Sequence, residues 1–509
     1  MRLSWRCLVD GFSACGIRGV YFDEGFLIRE LIEIGIQTYQ AYRISYLVPQ
    51  GWVSQLAVCV VVLNCWTTPL LHFAFVFFAS NHDRHEPLRR VLCLATDIVL
   101  DFFSSMIIPF LIYSSYRSQI LKNRWHDPLW ALRVGNDLLC FYLSNVWDVG
   151  FRLLPNFSML TCLGAIQPLF RPRGIPRSHP SFRNQFQVRR SHQPSSRLWV
   201  VHGFLAVYGF AILIISSAAY RKVHQFSLVG CHSTTRSWFA TKYPCAVLEL
   251  NCFRHNWTGS ANELDSTLEL ADERTIAAVV ITHCRQLEMP SQIQKFKNLV
   301  WLEVFNSTIA QWHDDAALSS FHHHRISRLM LIHVNVSMFP TRALADEFPP
   351  TLIDLEFVHT NLSLVFPSAP GRSWPSSIYR LYLEYCGLVE TPPVLTSLRV
   401  ATLSLAGNAL QSFPSTLVDN RRYRQLSLAQ NPIQSLPNAV WAVTTLHLEG
   451  TLVSSLPPSL MNSSTTTTIL ATQTPLCSMP PPIPQLDCAL STPDGAFFPL
   501  ELYQVGRQP

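Results

Sequence analysis

The chain has 509 residues, of which 48% are hydrophobic and 14% charged, and its formal net charge of +6 is unevenly spread. Residues 1–244 carry 24 Lys plus Arg against 12 Asp plus Glu, whereas residues 245–490 carry 14 against 19. With two long charge-free stretches in the basic half, this division excludes a uniform soluble globule and separates a membrane-like half from a mildly acidic one.

Residues 1–52 are expected to form a cytoplasmic N-terminal segment. The opening MRLSWRCLVDGFSACG lacks the uninterrupted apolar core of a secretory signal, so the first span is expected to act as the targeting element. Residues 26–48 pattern as an amphipathic helix suited to the membrane interface. Residues 53–170 form a multi-span region. Its stretch 53–79 contains no Asp, Glu, Lys or Arg and is long enough to cross a bilayer. Residues 91–116 make a further span despite Asp97 and Asp101, which lie four apart on one helical face. Ionisable groups are costly there and are functional candidates, able to line an ion path, bind a partner subunit or pack on a neighbouring helix. Residues 129–170 are apolar but broken by Arg133, Asp137, Asp148, Arg152 and Pro155, giving either a hairpin of two crossings or a segment against the membrane. No inverted repeat between the hydrophobic segments supports a transporter.

The loop 171–197 carries Arg171, Arg173, Arg177, Arg183, Arg189, Arg190 and Arg197 without one acidic residue, which keeps it cytoplasmic. Its charge can also attract anionic membrane lipids, and a loop tethered there is no natural partner for nucleic acid. The last span, 198–220, again lacks charge and carries everything after it to the outer or lumenal side. Residues 221–244 are a juxtamembrane neck.

From 245 to 490 the pattern changes. Apolar residues recur at offsets 0, 3 and 5 of units starting at 276, 299, 326, 352, 378, 400, 423, 443 and 466. The clearest copies are Val400-Leu403-Leu405 with Asn408, Leu410 and Phe413-Pro414, and Tyr423-Leu426-Leu428 with Asn431, Ile433 and Leu436-Pro437. The pattern matches the leucine-rich repeat signature: a short strand per unit whose inward face is buried only by stacking. After each strand a polar side chain is expected to bond backbone groups left unpaired by the turn. Asn408, Asn431, Cys284, Cys386, Thr360 and Thr451 fit that place, and Val334 departs from it, with Asn335 adjacent.

Sequons at Asn256, Asn306, Asn335, Asn361 and Asn462 in this half, against one at Asn156 in the other, favour glycosylation on the exterior. Of the seven cysteines in the second half, Cys284 and Cys386 sit at repeat positions as expected buried thiols. The others flank the array, so Cys245 with Cys252 and Cys477 with Cys488 are expected to close disulfide caps. Cys231 is left for an intermolecular bond or a reshuffled N-terminal pair. Residues 491–509, after a Pro-rich run, read as an unstructured tail.

The flanking cysteines and the continuations Phe413-Pro414 to Leu417 and Leu436-Pro437 to Val440 resemble the extracellular leucine-rich repeat superfamily. The whole layout, with RELIEIGIQTYQAYRISY at 29–46, multiple spans and then repeats, is similar to multi-span membrane leucine-rich repeat proteins of water moulds. The resemblance implies an α-helical membrane region followed by an α/β horseshoe solenoid. The kinase domain of receptor kinases is missing, so any signal is expected to leave through the spans or a signalling co-receptor.

The solvent-facing strand positions line the concave face. Coils two to five present Trp301, Glu303, Phe305, Arg328, Met330, His333, Asp354, Glu356, His359, Arg380, Tyr382, Glu384 and Tyr385, whose aromatics and arginines are typical interface anchors. Coils six and seven present only Thr402, Ser404, Ala406, Gln425, Ser427 and Ala429, so a protein or peptide ligand is expected on coils two to five. His322, His323 and His324, near His313, Asp314 and Asp315, lack metal-ligand spacing and are expected in a solvated loop. No phosphate loop, dinucleotide fingerprint, zinc-protease or nucleophile-elbow motif occurs, so neither catalysis nor a cofactor is expected. The expected function is a plasma-membrane receptor-like or adhesion module. The alternative is a transporter or membrane enzyme with the repeats as a regulatory domain. Charge reversal at Asp97 and Asp101 separates the two from replacement of Trp301 and Tyr382.

Overall fold

The computed structural model describes residues 22–78, 82–121, 130–131, 134–135, 137, 146–170, 196–225, 227–337, 349–362, 374–419, 421–461, 468–478, 484–489 and 495–505. They form two compact units, one mostly helical and one built on a β-sheet.

The longer helices of the first unit are α1 (Phe22–Leu47), α2 (Gly51–Phe78), α3 (His82–Phe102), α4 (Ile108–Leu121), α5 (Val146–Phe170) and α6 (Ser196–Gln225). A π-helical turn, Phe103–Ile107, joins α3 to α4. Three stretches, Gly51–Phe75, Leu88–Arg117 and Leu198–Gln225, are long and apolar enough to cross a membrane. They coincide with the spans expected at 53–79, 91–116 and 198–220. On α6, Val200, Phe204, Val207, Phe210 and Ile214 are all more than half exposed, a surface suited to an apolar solvent. Gly209 lets α6 approach α2, because a Cβ there would lie 2.6 Å from Nε1 of Trp66. The stretch 129–170, expected either as a hairpin of two crossings or as a segment against the membrane, forms one helix, α5, in its second half, and residues 138–145 and 171–195 lie outside the described residues.

Helix α1 carries the amphipathic pattern expected at 26–48, with its polarity turned inward. Glu30, Glu33 and Gln37 are buried while Ile28, Leu31 and Ile32 are exposed. Several of its polar groups find partners inside the unit. Glu33 accepts from Gln37 (3.3 Å) and from Ser158 (3.0 Å); Gln37 donates to Asp101 (3.4 Å) and accepts from Asn64 (3.0 Å). Arg29 pairs with Asp97. The two aspartates singled out in the sequence are therefore both buried, Asp97 paired with Arg29 and Asp101 accepting from Gln37.

The second unit is a solenoid. Its strands are β1 (Cys231–Thr234), β2 (Cys245–Asn251), β3 (Ala278–Thr282), β4 (Leu287–Glu288), β5 (Trp301–Gln311), β6 (Arg328–Val336), β7 (Asp354–Val358), β8 (Arg380–Glu384), β9 (Thr402–Ser404), β10 (Tyr423–Ser427), β11 (Val443–His447), β12 (Thr468–Leu470) and β13 (Leu486–Asp487). From β2 onward the main ladder is parallel and follows chain order, and each of the nine sequence units supplies one strand of it. In the first eight units every residue at offsets 0, 3 and 5 is at most 4% exposed, because strands stacked in register bury one face completely.

Two further positions repeat. At offset 7, His283, Asn306, His333, His359, Tyr385, Gly407, Gln430, Gly450 and Gln473 all have positive φ, so the chain leaves each strand through one left-handed residue. At offset 8 the polar ladder closes the turn. Asn408 accepts from the Cys386 and Leu388 amides and donates to the Leu383 and Leu405 carbonyls. One coil on, Asn431 accepts from the Leu410 amide and donates to the Leu405 and Leu428 carbonyls; Thr360 donates to the Leu331 carbonyl and Thr451 to that of Leu448. Val334 does occupy offset 8. Its coil dispenses with the polar group because β5 and β6 keep pairing past the bend, Ser307 opposite Val334 and Ile309 opposite Val336.

The first end is closed differently from expectation. Cys231 pairs with Cys245, Cys252 with Cys284, and Cys477 with Cys488. A Cys245–Cys252 bond is excluded because the two residues flank β2, and seven residues of extended chain separate them by roughly 20 Å. Cys284 is thus a bridged residue and not a free thiol, whereas Cys386 is free and buried. The antiparallel β1 covers the open edge of β2. Membrane-length helices and disulfides together fit a chain passing through a membrane and an oxidising compartment. The region 491–509 is not structureless throughout: Gly495 to Val505 lie on the solenoid's sheet and end in a short helix, Leu500–Val505.

Candidate functional site

Alternation along each strand sends one set of side chains to the core and the other to the open face of the sheet. The parallel register aligns that second set in rows. Trp301, Arg328, Asp354, Arg380 and Thr402 form the first, and Glu303, Met330, Glu356, Tyr382, Ser404, Ser427 and His447 the second. Phe305, Ile332, Val358 and Glu384 form the third. His333, His359 and Tyr385, expected on this face, belong instead to the left-handed bend one residue past it. Their rings stack along its rim, with centroids 4.7 and 4.5 Å apart. Gly407 continues that line because any side chain there would collide with the Tyr385 ring.

The charges of the first row pair with one another and with Glu356 of the second. Arg328 lies over Trp301 at 4.3 Å and donates to Asp354 through Nη2 (2.7 Å) and Nε (3.1 Å). Arg380 donates to the same carboxylate at 3.3 Å. Glu356 sits 4.0 Å from each arginine. The two cations and two carboxylates thus neutralise one another across three neighbouring strands, as desolvated charges must.

The second and third rows meet residues 495–505. The Glu384 carboxylate, held by the Ser404 hydroxyl, accepts the backbone N–H of Phe497 (2.7 Å) and of Phe498 (3.1 Å). Ser427 donates to the Gly495 carbonyl at 2.8 Å. The Phe497 ring sits edge-on to His447 and Tyr382, at 4.9 and 5.8 Å, and Tyr503 packs on Phe305 at 5.4 Å and donates to Glu303. Gln504 reaches His333 at 2.8 Å. The segment crosses the strands from β10 back to β5. None of the expected face residues is freely solvated: each is buried or half-buried, and Glu303 and Glu384 fully so.

Coils six and seven were expected to contribute little, yet their small residues make the approach possible. Gly495 has φ +64°, and a Cβ on it would lie 2.5 Å from Ala429 and 2.6 Å from Glu449. The signal was present as the run of Ser404, Ala406, Ser427 and Ala429, which forms a shallow floor, but small side chains read as featureless when only anchors are sought.

Burial raises the Glu384 carboxyl from its ordinary 4.5 to about 7, against the hydrogen bonds from Ser404 and the two amides that pull it down. Burial raises Glu356 as well, although Arg328 opposes it. These groups hold protons more tightly in the folded chain, so the cost of ionising them is absent below about pH 4.5 and complete above about pH 7. Hydrogen-exchange protection of the β7 and β8 amides, corrected for intrinsic rates, should therefore fall as pH rises from about 5 to about 8, and Glu384→Gln should flatten the fall. Protection that climbs through this window would contradict the assignment.

His323 is not solvated. Its ring donates to the Ile293 carbonyl at 3.0 Å, and burial lowers its pKa to about 4, so it is a structural bridge between coils. No cluster able to hold a metal occurs among the described residues. Asn256, Asn306, Asn335 and Asn361 are exposed, and Asn462 lies outside the described residues. No family model matches the chain, and no curated protein matches it.

Proposed function

We propose that this chain is a multi-pass plasma-membrane protein whose leucine-rich repeat horseshoe stands outside the cell as a receptor-like or adhesive surface for a protein or peptide. On this reading the horseshoe recognises and does not catalyse, and a co-receptor in the membrane relays the event. The observation that carries the reading is Glu384, whose buried carboxylate takes two consecutive backbone amides. A site that grips main-chain N–H groups binds polypeptide as a class. The flanking rings of Tyr382, His447 and Phe305 add side-chain selection. The exposed sequon asparagines and the disulfides support the outward orientation, as do the arginines ahead of the last span.

The test is to pan a displayed peptide library on the full chain in nanodiscs, after protease added to sealed cells has shown the repeats to be accessible. Selected peptides should lose about tenfold or more in affinity on the Trp301→Ala/Tyr382→Ala chain, the loss expected when aromatic anchors are removed. Peptides indifferent to both residues, or repeats that external protease never reaches, would reject the reading. A second reading, ion or solute movement through the helical unit, is favoured by two buried polar groups there, Arg29 with Asp97 and Gln37 with Glu33 and Asp101. It is the reading left standing if panning gives no face-dependent peptide.

A further inference from the structure

Residues 495–505 occupy the open face without belonging to the solenoid's core. That core runs unbroken from Cys245 to Leu486 and includes neither Phe498 nor Tyr503, although both are buried. The segment can therefore leave without unmaking any coil. What it would uncover is partly polar and readily hydrated, the carboxylates of Glu303 and Glu384 and the hydroxyls of Ser404 and Ser427, and partly aromatic, the rings of Phe305, Tyr382 and His447 that a ligand's side chains can cover in turn. Its own grip includes backbone groups at 495, 497 and 498, aromatic rings at 497 and 503, the Tyr503 hydroxyl and the Gln504 amide. These are features that another polypeptide can offer equally well.

We propose that Gly495–Val505 is a displaceable resident of the recognition face, and that the external ligand is a peptide of the same chemistry. Such a ligand presents a glycine where the backbone meets Ala429, two consecutive amides for Glu384, an aromatic ring between Tyr382 and His447, and a phenol for Glu303. This rests on the recognition reading above and adds to it a ligand class and a built-in competitor. The free face is then available only to a ligand that outcompetes a segment tethered at high effective concentration. A basal off-state follows without any further domain.

Gly495→Val separates the segment from the face it covers, because it creates a clash with Ala429 and Glu449 and forces an unfavourable φ while altering no face residue. The probe is a fluorescent peptide of sequence GAFFPLELYQV, added to the full chain in nanodiscs. The wild-type chain should bind it poorly, and the Gly495→Val chain about tenfold or more tightly, since the tethered competitor is gone. Adding Glu384→Ala should cancel that gain. Chymotrypsin should cut at Phe497, Leu500 or Tyr503 faster in the variant, reporting release. Phe497→Ala/Tyr503→Ala provides a second route to release.

Equal probe binding by all chains, or release without any gain in binding, overturns the proposal. So does a segment that neither variant exposes. A concentration-dependent dimer abolished by Gly495→Val would seat a second copy on the face and overturn the intramolecular assignment. If these tests fail while library peptides still depend on Trp301 and Tyr382, only this inference falls.

Discussion

Replacing Asn408 with alanine should destabilise the middle of the solenoid by about 3 kcal/mol, more than most single surface changes could. The side chain is buried and serves two amides, those of Cys386 at 3.0 Å and Leu388 at 3.1 Å, and two carbonyls, those of Leu383 at 2.7 Å and Leu405 at 2.8 Å. Alanine leaves all four groups in a dry interior without that partner, and a buried polar group left unpaired costs about 1–3 kcal/mol. Aspartate should not rescue the loss, because it cannot donate to the two carbonyls. Thr451→Ala removes a donation to the Leu448 carbonyl and should cost only about 1 kcal/mol. Urea unfolding of the full chain, with hydrogen exchange of β8 and β9 to locate the effect, measures both. A cost for Asn408→Ala no greater than that for Thr451→Ala would mean that water fills the gap, and the ladder argument would be lost.

The second large effect is expected at the first end of the array. Cys252→Ser/Cys284→Ser should cost about 2–4 kcal/mol, the usual range for a bridge that closes a loop of this order. Both cysteines are core residues, and they tie the turn after β2 to the turn after β3. Because each coil is supported only by its neighbours, the damage should stay local. Amides of β2 and β3 should lose protection while those of β10 and β11 keep theirs. Peptide mapping of the unreduced chain should recover the Cys231–Cys245, Cys252–Cys284 and Cys477–Cys488 pairs. A recovered Cys245–Cys252 peptide pair, or uniform loss of protection along the whole array, would refute this account of the cap.

Much of the architecture was legible because it follows from short-range pattern. Three charge-free or nearly charge-free runs became helices of membrane length, and the spacing of Ile276, Val279 and Ile281, repeated through Val443, Leu446 and Leu448, placed eight strands and their buried faces. The polar turn residues followed from the same arithmetic, whereas Val334, read as departing from it, proves to hold the same place without a polar group. The face residues Trp301, Arg328, Asp354 and Tyr382 were also found by alternation alone, since a strand cannot turn one side chain inward without turning the next outward.

Sequence pattern could not show what lies on that face. Glu384 meets Phe497 across 113 residues of chain and Glu303 meets Tyr503 across 200, and neither partner carries any local mark of the other. The same holds for the cap, where neighbouring cysteines in sequence lie at opposite ends of one strand, and for α1, whose polar stripe suits an interface as well as it suits a network. The amino-acid sequence by itself determined the period, the core and the membrane-length helices, because those depend on residues a few positions apart. Only the tertiary structure decided the disulfide partners, the inward turn of α1 and the occupant of the solenoid's open face. Each of these is a choice among distant groups, settled by where the backbone finally brings them.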